Sequence, residues 1–297
     1  MNLIEQIKTI TNEKNIYINE PMSKHTSFKT GGPADIFVVP DSKEEIIKLL
    51  KLDIPKTIVG NGSNLLVRDG GIRGLVIKID ISNYEVIDDI LVADAGCMIA
   101  KLSRIAMENS LSGLEFACGI PGTLGGALYM NAGAYGGEMK DIVIETEIVD
   151  YNGNVSIITE HDFDYRKSVF QSMDCVILSS KMKLKHGNKA EIKKQIDEYM
   201  TSRRTKQPID KPSAGSTFKR PKDSFAAKLI QDAGLKGYSV GEAEVSELHA
   251  GFVINKGHAT TKEIIELIKH IQAKVNTEFG VMLEPEVRII GEEIKDE

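Results

Sequence analysis

The sequence contains little cysteine, and its three cysteines are widely spaced. Cys97, Cys118 and Cys175 are odd in number and form no CxxC pair. Disulfide frameworks and structural zinc sites both depend on patterned cysteines. We therefore expect reduced, mostly buried thiols and no metal site.

Long, strongly apolar runs are also missing. One uncharged stretch of 22 residues lies between Glu115 and Glu138, but seven of its residues are glycine and it includes Pro121 and Asn131. This composition is a poor match to the roughly 20 strongly apolar residues of a membrane span. Glycine in an ordered element costs roughly 0.5 to 1 kcal/mol against alanine. Its concentration here predicts backbone that approaches another strand or a flat ligand.

A secretory signal is not apparent either. The first 15 residues combine apolar residues at helical spacing with Glu5 and Glu13, which predicts an amphipathic helix. We expect a cytoplasmic protein.

The overall charge is low and negative, at −6, which disfavours a nucleic-acid-binding protein. Between Lys181 and Lys222, however, 13 Lys and Arg residues face only 4 acidic ones. Such an island attracts small polyanions such as a nucleotide diphosphate, although mixed charges on a helix are also typical of a solvated face. We favour the functional interpretation for the cations in sequence that resembles a loop: Arg203, Arg204, Lys206, Lys219 and Arg220.

Short β-branched runs separated by glycine outnumber the predicted helices in the first 200 residues, which indicates an α+β fold. Asn152-Gly153 between alternating segments predicts a hairpin. Ser42 with Glu45 predicts a capping box. A helix is expected from Lys189 to Arg203, followed by a proline-rich junction and a second unit. That unit contains a helix starting at Ser224, a long helix with an apolar stripe, and a final strand over VMLEPEVRIIG.

Two familiar nucleotide signatures are absent. No GxGxxG follows a strand and no GxxxxGK[ST] occurs, so neither a Rossmann site nor a P-loop is predicted. The sequence instead has GNGSN at residues 60–64, between two apolar segments. Backbone N–H groups in such a turn can form a nest for an anion, but the same letters also form ordinary turns.

Three motifs in a fixed order carry a resemblance to a known family. They are TSFKTGGPA at 26–34, GNGSN at 60–64 and GIPGTLGGA at 119–127. With them the chain resembles the UDP-N-acetylenolpyruvoylglucosamine reductase family from about residue 26 to 291. The resemblance implies an FAD-binding fold of the vanillyl-alcohol oxidase (PCMH) type over about 26–190. It also implies two FAD-binding subdomains, at 1–80 and 81–200, and a C-terminal substrate-binding domain at 201–297.

The resemblance implies non-covalent FAD, with its pyrophosphate on GNGSN and the flavin along the glycine-rich segment. Bare backbone fits both tasks, because amide donors can converge and no side chain obstructs the ring. The residues implied in cofactor binding are Gly60, Asn61, Gly62, Ser63, Asn64, Leu65, Gly119, Ile120, Pro121, Gly122, Thr123, Gly125, Gly126, Asn131, Gly133 and Ala134.

Three further motifs resemble the catalytic elements of the family. YRKS, FKR after GST, and EPEVR imply that Arg166 stabilises an enolate, Ser216 donates a proton and Glu286 is the catalytic glutamate. A guanidinium can hold an enolate bidentately. An ionised carboxylate would oppose the reaction, so we expect Glu286 to be protonated or neutralised by Arg166. Without the resemblance, a surface ion pair, a turn serine and a solvated strand edge would be the simpler interpretations.

The resemblance also gives candidates for substrate contact. The candidates are Tyr165, Arg203, Lys206, Lys219 and Asn255. Arg220 replaces the asparagine that follows the FK pair in one branch, and residues 238–252 leave no room for that branch's tyrosine-bearing insertion. The sequence therefore resembles the more compact branch.

The function implied is NADPH-dependent reduction of the enolpyruvyl sugar nucleotide to UDP-N-acetylmuramate by a monomer that binds neither nucleic acid nor membrane. NADPH and NADH are not distinguished, since no Rossmann pocket is present. One alternative is an FAD-dependent oxidase of an alcohol or hydroxy acid on the same fold. Another is a nucleotide-binding protein without redox activity.

Overall fold

The computed structural model describes residues 2–294, and its elements confirm the α+β class. The helices are α1 (Leu3–Lys8), α2 (Lys43–Leu50), α3 (Ile99–Glu108), α4 (Leu124–Tyr129), α5 (Lys189–Lys206), α6 (Ala226–Asp232) and α7 (Thr261–Phe279). The strands are β1 (Ile16–Pro21), β2 (Pro33–Val38), β3 (Lys56–Val59), β4 (Leu65–Val67), β5 (Ile72–Lys78), β6 (Tyr84–Ile87), β7 (Ile90–Asp94), β8 (Leu111–Ser112), β9 (Gly133–Ala134), β10 (Gly137–Glu138), β11 (Val143–Asp150), β12 (Val155–Ile158), β13 (Cys175–Lys183), β14 (Lys185–His186), β15 (Ser239–Val240), β16 (Ala243–Val245), β17 (Val253–Asn255) and β18 (Arg288–Ile290).

The strands form several sheets. A five-stranded antiparallel sheet has the order β12-β11-β13-β7-β6, and a four-stranded sheet has the order β1-β2-β5-β3, with β3 and β5 parallel. The strands β15, β16 and β17 form an antiparallel sheet, and β4 pairs in parallel with β18. The short pairs β9–β10 and β8–β14 complete the set within the described residues.

The chain divides into two compact units. The first comprises residues 1–18, 36–61 and 74–202, and the second comprises 19–35, 62–73 and 203–297. The GNGSN loop that joins β3 to β4 therefore contains a point where the chain passes from one unit to the other. The three-part division expected from the sequence stays a prediction.

The first unit has its own apolar core, in which one face of α3 contributes Ile99, Leu102, Ile105 and Ala106. The short helix α4 adds Leu124 and Leu128 to the same core. Because those two leucines are four residues apart, they lie on one face of the helix, and the two glycines between them occupy other positions around it. This placement buries the leucine face of the glycine-rich helix in the core and leaves the two glycines outside that face.

The second unit is built around α7, whose predicted apolar stripe is confirmed. All five of its side chains are buried: Ile264, Leu267, Ile268, Ile271 and Val275. Burying each such side chain contributes roughly 1.5 to 3 kcal/mol. Thr260 and Glu263 form a capping box, and the Asp69 carboxylate accepts the N–H groups of Thr261 and Lys262, each at 2.9 Å. A residue far away in the sequence therefore helps to fix the start of this helix.

Several local predictions need correction. Ser42 caps α2, but the Glu45 carboxylate accepts the N–H of Asp41 instead of that of Ser42, so the capping box is incomplete. The hairpin of β11 and β12 is confirmed, although four residues, 151–154, separate the strands. The N-cap of α6 is Phe225 and not Ser224. In the last segment only Arg288–Ile290 forms a strand.

No helix of the described residues is both long and apolar enough to cross a bilayer.

Candidate functional site

The loop residues Gly60 and Asn61 meet the glycine-rich segment inside the first unit. A Cβ on Gly60 would lie 2.5 Å from Thr123 Oγ1, which is closer than side-chain atoms come. The Asn61 side-chain amide donates to the carbonyl of Pro121 at 2.6 Å. These contacts bring two of the three motifs together, as the resemblance implies.

The rest of the loop belongs to the second unit. Gly62 has a φ of 62°, and a Cβ there would lie 2.0 Å from the carbonyl oxygen of His25, so only glycine fits. The N–H of Ser27 donates to the Gly62 carbonyl at 3.2 Å. Within residues 2–294 no protein acceptor receives the backbone N–H groups of Gly62, Ser63 or Asn64. Three consecutive donors of this kind fit the phosphate oxygens of a dinucleotide.

The glycine-rich segment begins with a tightly held turn. The carbonyl of Gly122 accepts the N–H of Ile99 at 3.0 Å, and the N–H of Leu124 donates to the backbone carbonyl of Cys97 at 2.8 Å. The preceding residues Gly119 and Ile120 are partly buried, whereas Pro121 is exposed. The turn thus holds the predicted cofactor segment against the end of β7 and the start of α3.

The two helical glycines have different surroundings. A Cβ on Gly125 would lie 3.1 Å from the Cβ of Ala95, so this glycine permits close packing of α4. Gly126 is exposed, and a Cβ there would meet only Thr123 Oγ1, at 3.7 Å. Packing inside the first unit therefore explains Gly125 but not Gly126. An uncovered stretch of backbone at Gly126 fits the planar ring implied by the resemblance.

Asn131 is fully buried and has a left-handed φ of 41°. Its amide donates to Glu138 Oε2 at 2.6 Å and to the carbonyl of Asp164 at 3.0 Å, and its Oδ1 accepts the N–H of Lys140 at 3.0 Å. These bonds give the side chain a structural task. Cofactor contact by this residue stays a prediction.

The hairpin of β9 and β10 carries the remaining predicted cofactor residues of this segment. Gly133 pairs with Glu138, and Ala134 pairs with Gly137. Both predicted residues are partly buried. Tyr135 at the tip stacks on Tyr199 of α5 with ring centroids 4.1 Å apart, and its hydroxyl donates to the Tyr199 carbonyl at 3.0 Å. The hairpin is therefore anchored at its tip.

Arg166 lies in the turn between Asp164 and Lys167, which form a β-bridge. Its φ is 55°, a conformation that is rare outside glycine. One guanidinium nitrogen donates to the Gly133 carbonyl at 3.3 Å, and the group lies 5.1 Å from the centroid of the Tyr165 ring. The first unit therefore brings the predicted catalytic arginine, the predicted substrate residue Tyr165 and the glycine-rich segment together.

Ser216 and Glu286 are brought together within the second unit. Phe218 and Pro285 form an antiparallel bridge, and the N–H of Glu286 donates to the Thr217 carbonyl at 2.8 Å. Ser216 is exposed and Glu286 is partly buried. The two segments, 67 or more residues apart in the sequence, thus run side by side in the predicted catalytic region.

Asn64 connects the predicted pyrophosphate loop with the EPEVR segment. Its side-chain amide donates to the Glu286 carbonyl at 3.1 Å, and its own carbonyl accepts the N–H of Arg288 at 3.0 Å. Leu65 then begins the parallel pairing of β4 with β18, opposite Arg288. No signal in the sequence indicated this connection, because neither motif alone shows which segment it contacts.

The predicted substrate residues have mixed surroundings. Lys219 forms an ion pair with Glu284. Asn255 is 1% exposed; its amide donates to Phe28 at 2.9 Å, and its Oδ1 accepts the N–H groups of Gly257 and Ala259. These bonds order the loop after β17, so substrate contact by Asn255 stays a prediction.

The assignment of Arg203, Arg204 and Lys206 to a loop was wrong. All three lie in the last turn of α5, which extends to Lys206. Cations at that position are favoured by the partial negative charge of a helix C-terminus. Lys219 and Arg220 do lie in irregular backbone, as expected.

Ionisation near the Arg166 turn is affected by burial. His161 is buried, its Nε2 lies 2.9 Å from Thr146 Oγ1, and desolvation lowers its pKa below the ordinary value. Burial raises the pKa values of Cys97 and Cys175 to about 11, with smaller contributions from Asp94 and Asp174 respectively. All three cysteines are free. No group of ligands that could hold a metal ion is found in the described part of the chain.

Comparison with family models gives two matches. Residues 34–159 match the FAD binding domain, and residues 207–290 match the UDP-N-acetylenolpyruvoylglucosamine reductase C-terminal domain. These matches confirm an FAD-binding domain and a C-terminal reductase domain, while the expected domain boundaries stay predictions.

Curated relatives named UDP-N-acetylenolpyruvoylglucosamine reductase are similar over almost the whole chain. The protein of Caldanaerobacter subterraneus subsp. tengcongensis is 49% identical, with 98% of each chain covered. That of Oceanobacillus iheyensis is 47% identical, covering 98% of this chain and 97% of its own. The crystal structure of the Thermus caldophilus reductase superposes with a TM-score of 0.81 at 33% identity, covering 92% of this chain and 97% of that one.

Proposed function

Because the chain belongs to the UDP-N-acetylenolpyruvoylglucosamine reductase family, we propose that it reduces the enolpyruvyl group of that sugar nucleotide. The product is UDP-N-acetylmuramate, a precursor of peptidoglycan. The cofactor is non-covalently bound FAD, and NADPH is the reductant. The substrate is a small molecule.

The pairing of the Ser216 and Glu286 segments is the observation that supports this reaction best. An FAD-dependent oxidase would also use a GNGSN loop and a glycine-rich segment. It has no need for the Ser216 and Glu286 segments to run side by side, as the bridge of Phe218 with Pro285 and the bond from the Glu286 N–H to the Thr217 carbonyl make them do. Protonation of a carbon atom does need such groups.

Each unit, taken by itself, has residues that fit one part of FAD. Gly62, Ser63 and Asn64 offer backbone donors to the pyrophosphate, and the exposed backbone at Gly126 offers a surface to the ring. Within the first unit, Gly60 packs against Thr123 and the Asn61 amide donates to the Pro121 carbonyl, which holds the glycine-rich segment in place. When bound, FAD would supply the hydride transfer that links NADPH to the enolpyruvyl carbon remote from the carboxylate.

Ser216 supplies the proton. Reduction at the remote carbon leaves enolate character beside the carboxylate, and an enolate carbon is basic enough to take a proton from a hydroxyl group. The exposed position of Ser216 leaves its side chain accessible to a substrate. A general acid held within hydrogen-bond reach contributes typically 10²- to 10⁴-fold to a rate.

Arg166 and Glu286 assist from their own segments. The Arg166 guanidinium holds the developing negative charge of the enolate through charge-assisted hydrogen bonds. Glu286 acts either in its protonated form or with its charge neutralised by Arg166, because an uncompensated carboxylate would repel the same charge. Tyr165 lies next to Arg166 and contacts the substrate.

The substrate's diphosphate binds cationic side chains. Arg203 and Lys206 lie in the last turn of α5, and Lys219 follows the Ser216 segment directly. Lys219 already has a carboxylate partner in Glu284, so a phosphate would compete with that ion pair. Asn255 contributes to substrate binding through the loop after β17, which its hydrogen bonds order. The protein acts in the cytoplasm as a monomer and binds no nucleic acid.

The spectrum of the flavin tests this function. In anaerobic solution NADPH should bleach the purified protein, and the enolpyruvyl sugar nucleotide should restore the colour. Return of colour with air alone, and not with the nucleotide, would indicate an oxidase. A colourless preparation that cannot be loaded with FAD would indicate a nucleotide-binding protein without redox activity.

The Ser216→Ala variant tests the proton donor. It should bleach at the wild-type rate with NADPH and recolour at least about 10²-fold more slowly with the nucleotide. Ser213→Ala, three residues earlier in the same segment, is the matched control and should retain both rates. Equal slowing of both half-reactions by Ser216→Ala would exclude it as the acid.

A further inference from the structure

The turn that carries Arg166 needs support from outside itself. Its two ends, Asp164 and Lys167, exchange backbone hydrogen bonds of 3.1 and 3.0 Å, so two residues span the turn. Arg166 has a left-handed φ of 55°, at a position where turns of this kind favour glycine. An L-residue stays in this conformation only when neighbouring groups hold it there.

Gln171 is such a neighbouring group. Its side-chain amide donates to the Arg166 carbonyl at 3.0 Å and to the Tyr129 carbonyl at 2.8 Å. Both acceptors are backbone atoms, so the amide bridges two parts of the chain that are 37 residues apart. Tyr129 is the last residue of α4, and its carbonyl also accepts the Ser168 hydroxyl at 2.8 Å.

We propose that Gln171 is a positioning residue for Arg166, fixing its peptide group to the end of the glycine-rich helix. The catalytic arginine is then held at a set position relative to the backbone on which the ring of the cofactor lies. Arg166 contacts this region a second time through its bond to the Gly133 carbonyl. This proposal rests on the proposed function for its catalytic consequence but not for its geometry.

Two substitutions separate the amide donors from the bulk of the side chain. Gln171→Leu removes both hydrogen bonds, and Gln171→Glu keeps the shape while removing the donors. For each we expect an oxidative half-reaction slowed about tenfold, since positioning bonds commonly contribute at this level. The FAD dissociation constant and bleaching by NADPH should not change. Ser172→Ala is the matched control, because within residues 2–294 its hydroxyl donates only to the Val169 carbonyl in the same short turn.

Two further readouts distinguish positioning from general support of the fold. In an Arg166→Ala background, Gln171→Leu should cause no further loss, because its effect passes through Arg166. The Gln171→Glu variant should recover relative to wild type as the pH falls toward 5, since a protonated carboxyl group regains one donor. Full additivity with Arg166→Ala, or a pH profile parallel to wild type, would overturn the proposal.

A measurement without turnover keeps the two proposals separate. In protein with ¹⁵N-labelled arginine, the Arg166 Nε resonance should broaden or shift in Gln171→Leu and stay unchanged in Ser172→Ala. If the wild-type protein does not reduce the nucleotide but the Arg166 resonance still changes in Gln171→Leu, only the proposed function is refuted. An active wild type, with neither this shift nor a slower oxidative half-reaction in Gln171→Leu, would refute the positioning role.

Discussion

Replacing Gly60 with alanine tests why glycine begins the GNGSN loop. Its φ is not in the left-handed region, so an L side chain is not excluded by backbone conformation. The obstacle is Thr123 Oγ1, which would lie 2.5 Å from the new Cβ, while the next atoms of Thr123 are 3.7 Å away or more. Overpacking of this kind costs about 1 to 3 kcal/mol.

A second substitution shows whether this contact is the cause. Thr123→Ala removes Oγ1 and leaves only the Thr123 Cβ, at an ordinary 3.7 Å. Gly60→Ala should therefore lower the free energy of unfolding by about 1 to 3 kcal/mol in the wild-type background and by less than about 0.5 kcal/mol in Thr123→Ala.

Urea unfolding of the FAD-free protein measures all four members of this cycle, and the FAD dissociation constants can be taken from the same preparations. We expect Gly60→Ala to weaken FAD binding in the wild-type background, where the new Cβ meets Thr123 Oγ1, but not in the Thr123→Ala background. An equal loss of stability in both backgrounds would refute the steric explanation.

Three other predictions concern the scaffold. Asp69→Ala should lower the free energy of unfolding by about 1 to 2 kcal/mol, because the first N–H groups of α7 lose their acceptor. Thermal denaturation measures this loss, with Lys262→Ala as the control. An equal loss of stability in the two variants would contradict the capping role of Asp69. His161 has a folded-state pKa below its unfolded value, so its contribution to the free energy of unfolding is fully present above about pH 6.5 and is lost as the pH falls through the folded-state pKa. Between pH 7.5 and 5, urea unfolding should show that stability falls more steeply with pH in wild type than in His161→Gln. An equal pH dependence in the two proteins would contradict this prediction. At pH 8 iodoacetamide should leave the buried Cys97 and the partly buried Cys175 unmodified, because burial raises both pKa values to about 11. Rapid alkylation of either thiol in the folded protein, detected by mass spectrometry, would contradict these raised pKa values.

Elements defined by local pattern were predictable from the sequence. The apolar stripe of α7 and the hairpin at Asn152-Gly153 follow from spacing and turn chemistry, and the structure has both. The end of α5 was placed too early, because the cluster of Arg203, Arg204 and Lys206 resembles a loop cation cluster although cations are also common in a last helical turn.

Contacts between distant segments were not predictable. The capping of α7 by Asp69 joins residues about 190 apart, and no local pattern records it. The bond from Asn64 to the Glu286 carbonyl and the bridge made by Gln171 have the same character. Motif matching predicted the residues of the site, but only the folded chain shows which backbone atoms hold them.

We infer that the glycine-rich helix presents bare backbone to the cofactor, and the Gly126→Ala variant is the sharpest test of this role. Alanine has room in the protein at this helical position, so the FAD-free protein should gain roughly 0.5 to 1 kcal/mol of stability. The same methyl group should weaken FAD binding at least about tenfold, or by about 1.4 kcal/mol. A more stable protein that binds FAD as tightly as wild type would show that the backbone at Gly126 does not contact the cofactor.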